Sequence, residues 1–278
     1  MQPFTLGSPS GTAHVGVLVN PSGECAPQLF AIGAWAREHG LDVADLGSSA
    51  EPTGQEADCL FVIALGGDGT ILRALQLAMV HHVPVLGVNF GHVGFLADID
   101  GSGLNAALDT IARGAAQVDE RTALVTTIQS VPPRHVVAFN DVVIARIPGF
   151  GPARLRIHVG GEPLLALRGD GVVIASPTGS TAYTVEAGGP AVSPALDAIV
   201  LTPLATQGSP LRSLVVDGSD TVRVEMDGPS APLGLEIDGR SIDQMPTSAA
   251  LEVHTAPGRA RLLRTQPRTF YADLAKRL

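Results

Sequence analysis

The residues best suited to chemistry are Gly66-Gly67-Asp68-Gly69-Thr70, which stand between an apolar run and a segment whose apolar residues recur at helical spacing. Glycine lets a ligand approach the backbone closely, and a helix N-terminus offers free N–H groups to an anion. Asp68 is the unusual member, because a phosphate bound there would repel a carboxylate. Asp68 would therefore act as a general base toward a hydroxyl or as a ligand to a metal that the phosphates carry. A tight turn without chemistry fits these residues about equally well.

A second segment, from Gly169 to Tyr183, joins an apolar strand to a loop rich in hydroxyl groups. Five hydroxyl side chains lie within eight positions: Ser176, Thr178, Ser180, Thr181 and Tyr183. Small residues allow backbone contact with a flat ligand, hydroxyls both donate and accept, and Tyr183 offers a ring for stacking. A solvated serine-rich loop is the alternative. The apolar strand before the loop and the Gly-Gly-Pro boundary after it favour ligand binding.

At these positions the chain resembles the NAD kinase family. The matching residues, in the family's order between about residues 14 and 254, are Gly66 to Thr70, the glycine-rich segment Gly87 to Leu96, Asn140-Asp141, Ser176 to Tyr183 and Ala187 to Pro190. The hydroxyl-rich part is the most specific, since lipid kinases and 6-phosphofructokinases share Gly-Gly-Asp-Gly-Thr. The resemblance implies transfer of a phosphoryl group from ATP or polyphosphate to NAD, with a divalent cation, Mg²⁺ by expectation.

The resemblance also implies roles for single residues. Asp68 is expected to take the proton from the 2′-hydroxyl of the adenosine ribose, while the amides and hydroxyl around it hold donor phosphates. The expected phosphate-binding residues are Gly66, Gly67, Gly69 and Thr70. The expected NAD-binding residues are Asn140, Asp141, Arg168, Asp170, Thr178, Ser180, Thr181, Ala182, Tyr183 and Arg240. No residue is assigned as a metal ligand.

Five positions depart from the family pattern or allow a second interpretation. Asp141 stands where the family usually has glutamate, so its hydrogen bond to ribose is retuned or water-mediated; an Asn-Asp pair also commonly makes a turn. Arg240 stands where glutamine is more frequent, and either contacts a phosphate or marks a hairpin turn. Gln207 occupies the place of the family's histidine, which puts donor preference in doubt. Arg168 and Asp170 fit a surface salt bridge as well as an NAD site.

Composition narrows the class of protein. The chain has 278 residues and a net charge of −9, which disfavours nucleic acid or an anionic membrane as partner. Its one lysine, Lys276, lies near the end of the chain. Phosphate-binding sites of the P-loop and protein-kinase types are therefore excluded, because both need a lysine on the phosphates. No apolar stretch reaches the length of a membrane span. A polar start and two cysteines in no metal-ligand spacing predict a cytoplasmic protein.

The order of elements predicts two domains and a tail. Strand and helix alternate over residues 1–98, which predicts a Rossmann-like parallel-sheet α/β domain. Short, β-branched, turn-bounded segments dominate residues 99–254, which predicts an antiparallel β domain. The resemblance implies that the first domain binds the phosphate donor and the second binds NAD. The basic tail, residues 255–278, favours a solvated charged surface, whereas the resemblance implies that it returns to the first domain. Family resemblance and strand edges in the β domain indicate a homodimer or homotetramer.

Three functions compete with NAD kinase. A diacylglycerol or sphingosine kinase would share Gly-Gly-Asp-Gly-Thr, but it lacks the hydroxyl-rich segment and needs a membrane-facing surface that the net charge disfavours. A sugar-phosphate kinase would have a doubly wound second half rather than a β-rich one. A dinucleotide-sensing module without catalysis would gain nothing from Asp68, because binding alone does not need a carboxylate among phosphates.

Overall fold

The computed structural model describes residues 1–6, 13–21, 25–49, 51–91, 94–130, 132–207, 211–245, 250–267 and 269–276. The chain forms two compact units. Unit 1 comprises Met1–Glu120 and Arg259–Leu278, and unit 2 comprises Arg121–Gly258. Unit 1 extends beyond the predicted boundary at residue 98, because helix Leu104–Ala112 buries its apolar face in the core that the first strands share.

Unit 1 is built on a parallel sheet. Its first strands are β1 (Gln2–Pro3), β2 (His14–Val19), β3 (Asp42–Asp45), β4 (Cys59–Leu65), β5 (Val85–Asn89) and β6 (Ile99–Asp100). Four of them lie in the order β3-β2-β4-β5, with every neighbouring pair parallel. Strand β4 is nearly continuous apolar sequence and is buried along its length, as expected for a central strand covered on both faces.

Helices follow three of these strands in unit 1: α1 (Ala26–Glu38), α2 (Asp68–Ala78) and α3 (Leu104–Ala112). A single 3₁₀ turn, Met79–His81, continues α2. The predicted helix from Thr70 therefore begins two residues earlier, at Asp68, immediately after the glycine pair. Two further 3₁₀ turns, Glu56–Asp58 and Gly101–Gly103, precede β4 and α3.

Unit 2 is almost entirely antiparallel. Strand β7 (Gln117–Ile128) enters it from unit 1, and the chain then forms β8 (Arg134–Ala138), β9 (Asp141–Arg146), β10 (Ala153–Val159), β11 (Glu162–Gly169), β12 (Gly171–Ala175), β13 (Ala198–Leu204), β14 (Leu214–Asp217), β15 (Val222–Met226), β16 (Leu233–Ile237) and β17 (Arg240–Met245). One sheet has the order β14-β13-β12-β9-β16-β17. A 3₁₀ turn, Gly179–Thr181, and a short helix, α4 (Tyr183–Glu186), follow β12.

The tail is ordered strand and helix rather than solvated charged surface. Strand β18 (Ala250–Arg264) begins in unit 2 and ends in unit 1, and helix α5 (Phe270–Ala275) follows it. Ala260, Leu262 and Leu263 are buried, whereas Arg259 is exposed. Composition did not predict this strand, because the segment contains several charged residues. The implied return of the tail to the first domain is confirmed, as is the predicted fold class of an α/β domain with an antiparallel β domain.

Among the described residues, no helix combines the length and the apolar character that crossing a membrane requires.

Candidate functional site

The glycine turn after β4 is shaped by close packing at its first residue. A Cβ at Gly66 would lie 2.4 Å from Thr70 Oγ1, so only glycine fits there. Gly67 is extended and its carbonyl accepts the Thr70 and Ile71 N–H groups, which starts α2. At Gly67 and Gly69 a Cβ would meet nothing within 4 Å. Glycine at these two positions is therefore not required by internal packing, and the space is open to a ligand.

Asp68 is the first residue of α2, and its carboxylate is held by a segment farther along the chain. Oδ2 accepts the Phe95 N–H at 3.0 Å, and Oδ1 accepts the Leu96 N–H at 3.4 Å. A Cβ at Gly94 would lie 1.9 Å from Asp68 Oδ1, so this segment approaches the carboxylate as closely as glycine allows. The three residues Gly94-Phe95-Leu96 form what we call the Asp68 cradle. Sequence reasoning noted these residues but not that they bind Asp68.

Two more side chains of α2 complete this turn. Thr70 is buried, and its hydroxyl accepts a hydrogen bond from Arg73 Nη2 at 3.1 Å. Arg73 Nε is buried and has no hydrogen-bond partner among the described residues. Arg73 was not among the predicted site residues, although its position one turn after Thr70 on the same helix would have indicated it. His92 lies outside the described residues.

In unit 2, the Asn140-Asp141 pair is bound by a carboxylate that the sequence analysis did not select. Asp238 accepts the N–H groups of Phe139, Asn140 and Asp141, with the shortest distance 2.7 Å, from Asn140 to Oδ1. These bonds lie between β8, which ends at Ala138, and β9, which begins at Asp141. Asn140-Asp141 is therefore a break between β8 and β9. Asp238, which follows the neighbouring strand β16, fixes the backbone of this break.

Asp238 belongs to a two-residue hairpin turn between β16 and β17. Asp238 and Gly239 both have positive φ, 49° and 73°, which matches the type I′ turn that Asp-Gly favours. Arg240 is the first residue after this turn and is exposed. The interpretation of Arg240 as the mark of a hairpin turn is confirmed. Because Arg240 is exposed, its side chain is also accessible to a phosphate.

Asp141 is an ionisable group in an unfavourable environment. Its side chain is buried, with the residue 4% exposed, and the carboxylates of Asp238 and Glu236 lie near it. Burial first, and then these two negative charges, raise the pKa of Asp141 from 3.8 to about 7. The carboxyl group thus changes charge near neutral pH, so at that pH it can either donate or accept a hydrogen bond.

The hydroxyl-rich loop packs directly on Asn140. Ser176 Oγ donates to the Phe139 carbonyl at 2.6 Å, and a Cβ at Gly179 would lie 2.0 Å from the Asn140 carbonyl oxygen. Ser180 is fully buried, and its Oγ donates to the Pro177 carbonyl and accepts the Val192 N–H. Ser176 and Ser180 thus build the loop, while Tyr183 is 44% exposed. Thr178 is almost buried, and its carbonyl accepts from the Thr181 hydroxyl at 3.3 Å.

Asp170 has a different partner from the one considered from sequence. Its Oδ1 accepts from Arg146 Nε at 2.6 Å, so Arg146 makes the surface salt bridge that had been weighed for Arg168. Arg168 is exposed, and its carbonyl accepts the Gln207 N–H at 2.9 Å. Gln207 is exposed too. The structure therefore places Arg168 beside Gln207.

Within the described ranges, no group of three or more histidine, cysteine, aspartate or glutamate residues is arranged to hold a metal ion. A Mg²⁺ ion that enters with nucleotide phosphates needs only one or two carboxylates and keeps several waters. Asp68, at the open glycine turn, is a carboxylate of this kind.

Two family models match the chain. The ATP-NAD kinase N-terminal domain matches residues 47–116, and the ATP-NAD kinase C-terminal domain matches residues 139–265. An NAD kinase of Moorella thermoacetica is 38% identical over 219 residues, which are 78% of this chain and 70% of that protein. The chain belongs to the NAD kinase family.

Other comparisons agree with this membership. An NAD kinase of Symbiobacterium thermophilum is 36% identical over 84% of this chain and 83% of its own length. Two solved structures share the fold: yeast NADH kinase complexed with NADH, with a TM-score of 0.80, 21% identity and coverage of 95% and 87% of the two chains, and an NAD kinase from Archaeoglobus fulgidus in complex with ATP, with a TM-score of 0.76, 20% identity and coverage of 95% and 97%. The predicted family and its kinase activity are confirmed, and the lipid kinase, sugar kinase and sensing alternatives are not supported.

Proposed function

We propose that this member of the NAD kinase family transfers the terminal phosphoryl group of ATP to the 2′-hydroxyl of the adenosine ribose of NAD, giving NADP and ADP. The observation that carries the proposal is the placement of Asp68, whose carboxylate is fixed by the Phe95 and Leu96 N–H groups at the start of a helix that follows an open glycine turn. A base and an anion site are thereby combined in one turn.

Asp68 takes the proton of the ribose hydroxyl, and the oxygen attacks the terminal phosphorus as the bond to ADP breaks. A positioned carboxylate contributes a factor of about 10²–10⁴ to such a step, because a neutral hydroxyl is a poor nucleophile. Gly66, Gly67, Gly69 and the N-terminal amides of α2 bind the donor phosphates. Arg73 adds a cation beside Thr70, since its Nη2 already reaches that hydroxyl.

The NAD side of the site is proposed to lie in unit 2. Asn140 and Asp141 bind ribose hydroxyls from a backbone that Asp238 fixes. Thr178, Thr181, Ala182 and Tyr183 contact the dinucleotide, whereas Ser180 acts by holding the loop together. Arg168 and Arg240 are exposed cations available to the pyrophosphate, and Asp170 keeps Arg146 in place.

A divalent cation, Mg²⁺, is proposed to enter with ATP and to be held by its phosphates and by Asp68. It would neutralise charge on the transferring phosphoryl group, which a chain with net charge −9 and one lysine needs. Polyphosphate is proposed as a second donor, because backbone amides recognise a phosphate chain without requiring adenine. The solved relatives are named for complexes with NADH and with ATP, which makes both useful comparison ligands.

We also propose a cytoplasmic homo-oligomer, either a dimer or a tetramer. Cys25 and Cys59 are free and buried, which suits a reducing compartment. Leu164 on β11 and Val215 on β14 are exposed apolar residues on edge strands of unit 2, where a second copy could pair. Light scattering coupled to size exclusion measures the oligomer directly.

The experiment that tests the function is an end-point assay of the purified full chain. NAD or NADH is incubated with ATP or polyphosphate, with Mg²⁺ or with EDTA, and the product is measured with an NADP-specific dehydrogenase. The expected result is 2′-phosphorylated product from NAD and ATP only when Mg²⁺ is present. Diacylglycerol and sphingosine in the same assay serve as acceptors that should remain unphosphorylated. ATP consumption without NADP, under all these conditions, would contradict the proposal.

A further inference from the structure

The Asp68 cradle is itself held by the C-terminal part of the chain. Arg264, the last residue of β18, donates from Nη1 to the Leu96 carbonyl at 3.0 Å and to the Ala97 carbonyl at 3.3 Å. Leu96 is therefore bound at both ends of its backbone, because its N–H donates to Asp68 and its carbonyl accepts from Arg264. A displacement of the Leu96 backbone would be transmitted to the carboxylate.

Arg264 is in turn fixed by acidic partners. Only 7% of the residue is exposed, its Nε donates to Asp119 Oδ2 at 3.2 Å, and its Nη1 lies 3.8 Å from Asp98 Oδ1. A buried guanidinium is costly unless its donors are satisfied, and its planar fork gives the five N–H groups one geometry. Two carboxylates and two carbonyls thus determine the orientation of this side chain.

Neighbouring tail residues bind the same stretch. Thr265 donates its N–H and its hydroxyl to Asp98 Oδ2, at 2.9 and 2.6 Å. Gln266 Nε2 donates to the Asp98 carbonyl. The Phe270 ring on α5 lies 6.2 Å from the Phe95 ring, centroid to centroid. Every residue from Phe95 to Asp98 therefore has a partner among Arg264, Thr265, Gln266 and Phe270.

We propose that Arg264 is a positioning residue for catalysis: it fixes the Leu96 and Ala97 carbonyls, and the Asp68 cradle then holds the reactive carboxylate in place. The inference rests on the proposed role of Asp68 as base. A misplacement of about 1 Å in a catalytic group can cost about 10²-fold in rate. Since Arg264 acts on Asp68 and does not contact NAD, its loss should lower kcat and leave KM for NAD nearly unchanged.

Arg261 provides a matched control. It lies on the same strand three residues earlier, its Nε is 3.4 Å from the Glu120 carboxylate, and its Nη1 donates to the His82 carbonyl. Arg261 thus resembles Arg264 in having a carboxylate and a backbone carbonyl as partners, but these partners lie outside residues 94–98. A general loss of packing in the tail would affect both variants alike.

The experiment compares Arg264→Gln and Arg261→Gln in the full-length enzyme. For Arg264→Gln we expect kcat to fall about 10- to 100-fold, with KM for NAD within about threefold of wild type. For Arg261→Gln we expect kcat within about twofold of wild type, even if its thermal midpoint falls by a similar amount. Arg264→Lys keeps the charge but not the fork, and should restore part of kcat.

A double-mutant cycle with Asp68→Asn separates positioning from general damage. Once the base is absent there is nothing left to position, so Arg264→Gln should lower the residual rate by less than about twofold in that background. An equal loss in both backgrounds, or wild-type kcat in Arg264→Gln, would overturn the proposal. If Arg264→Gln does not fold, Arg264→Lys decides, and an unchanged kcat in that variant would also overturn it. A normal kcat in Asp68→Asn alone would refute the base assignment instead.

Discussion

Units 1 and 2 both bind a carboxylate with backbone N–H groups, but they use the arrangement for different ends. In unit 1 the Asp68 carboxylate accepts one N–H on each oxygen and stands at an open glycine turn. In unit 2 the Asp238 carboxylate accepts three N–H groups and fixes the break between two strands. The first carboxylate keeps lone pairs for a proton or a cation, whereas the second is committed to the backbone. Residue type alone does not separate these roles.

The charged groups near Asp68 in unit 1 and near Asp141 in unit 2 also differ. Arg73 lies on the same helix as Asp68, one turn beyond Thr70, and supplies a cation to that turn. Asp141 has only negative neighbours contributing to its shifted pKa, Asp238 and Glu236, and is nearly excluded from water. Unit 2 therefore maintains a costly carboxyl group that changes charge near neutrality. A ribose hydroxyl, which can donate or accept, would satisfy either form of it.

The largest effect is expected at Asp68. Asp68→Asn keeps size and one acceptor but removes the proton acceptor, so kcat should fall about 10²-fold or more while KM for NAD changes little. Steady-state kinetics with both substrates varied measures this. Asp45→Asn is a suitable control, because the Asp45 carboxylate also accepts a backbone N–H, from Gly47 at 2.8 Å, but lies at the end of β3 and not at the glycine turn. A kcat within a factor of a few of wild type would show that Asp68 is not the base.

Elements that are determined by local sequence could be predicted, whereas those that depend on distant residues could not. Strand β4 and helix α2 were predictable because a continuous apolar run and a helical repeat are local signals. Strand β18 was missed because its arginines find acidic partners far away in sequence: Arg264 pairs with Asp119, 145 residues away. Long-range pairing of this kind leaves no trace in local composition.

The site divides in the same way. Asp68 was recognisable from residue type and from its position among glycines, but its partners are backbone N–H groups 27 and 28 residues later. Any residue except proline carries such a donor, so no side-chain pattern announces it. Asp238 could not be distinguished from an ordinary Asp-Gly hairpin turn, because its role depends on strands 97 to 99 residues away.

The second prediction concerns the pH dependence of stability. Because the folded-state pKa of Asp141, about 7, lies above the unfolded value of 3.8, the folded protein keeps a proton that the unfolded chain loses. The contribution of this bound proton to the free energy of unfolding is fully present below about pH 4. It is lost as the pH rises to about 7, which lowers the free energy of unfolding by as much as about 4 kcal/mol. Asp141→Asn, which does not ionise, should therefore gain stability relative to wild type as the pH rises from about 4 to about 7, as measured by urea unfolding. A constant difference across this range would show that Asp141 does not titrate there.

A third prediction tests whether Asp141 binds ribose. Asp141→Glu restores the usual residue of the family and moves the carboxyl group by one methylene, so KM for NAD should change by less than about tenfold. Asp141→Ala should raise KM clearly more, because it leaves a substrate hydroxyl without a partner. Initial rates at saturating ATP measure both. Equal and negligible effects of the two substitutions would show that Asn140-Asp141 serves only as the break between β8 and β9.

The smallest effect is expected at Gln207. It tests whether KM for ATP and KM for NAD depend on pH in different ways. Gln207 is exposed, its N–H binds the Arg168 carbonyl, and it provides no titratable group. With saturating NAD and Mg²⁺, KM for ATP in the wild type should not follow a group that titrates near about 6.5, the ordinary pKa of histidine. Gln207→His should introduce such a dependence, with KM for ATP rising as the imidazole loses its charge above that pH. Because Asp141 titrates near neutrality, the wild type should show its pH dependence in KM for NAD instead. A wild-type KM for ATP that already titrates near neutral pH would refute this assignment and direct attention first to His92.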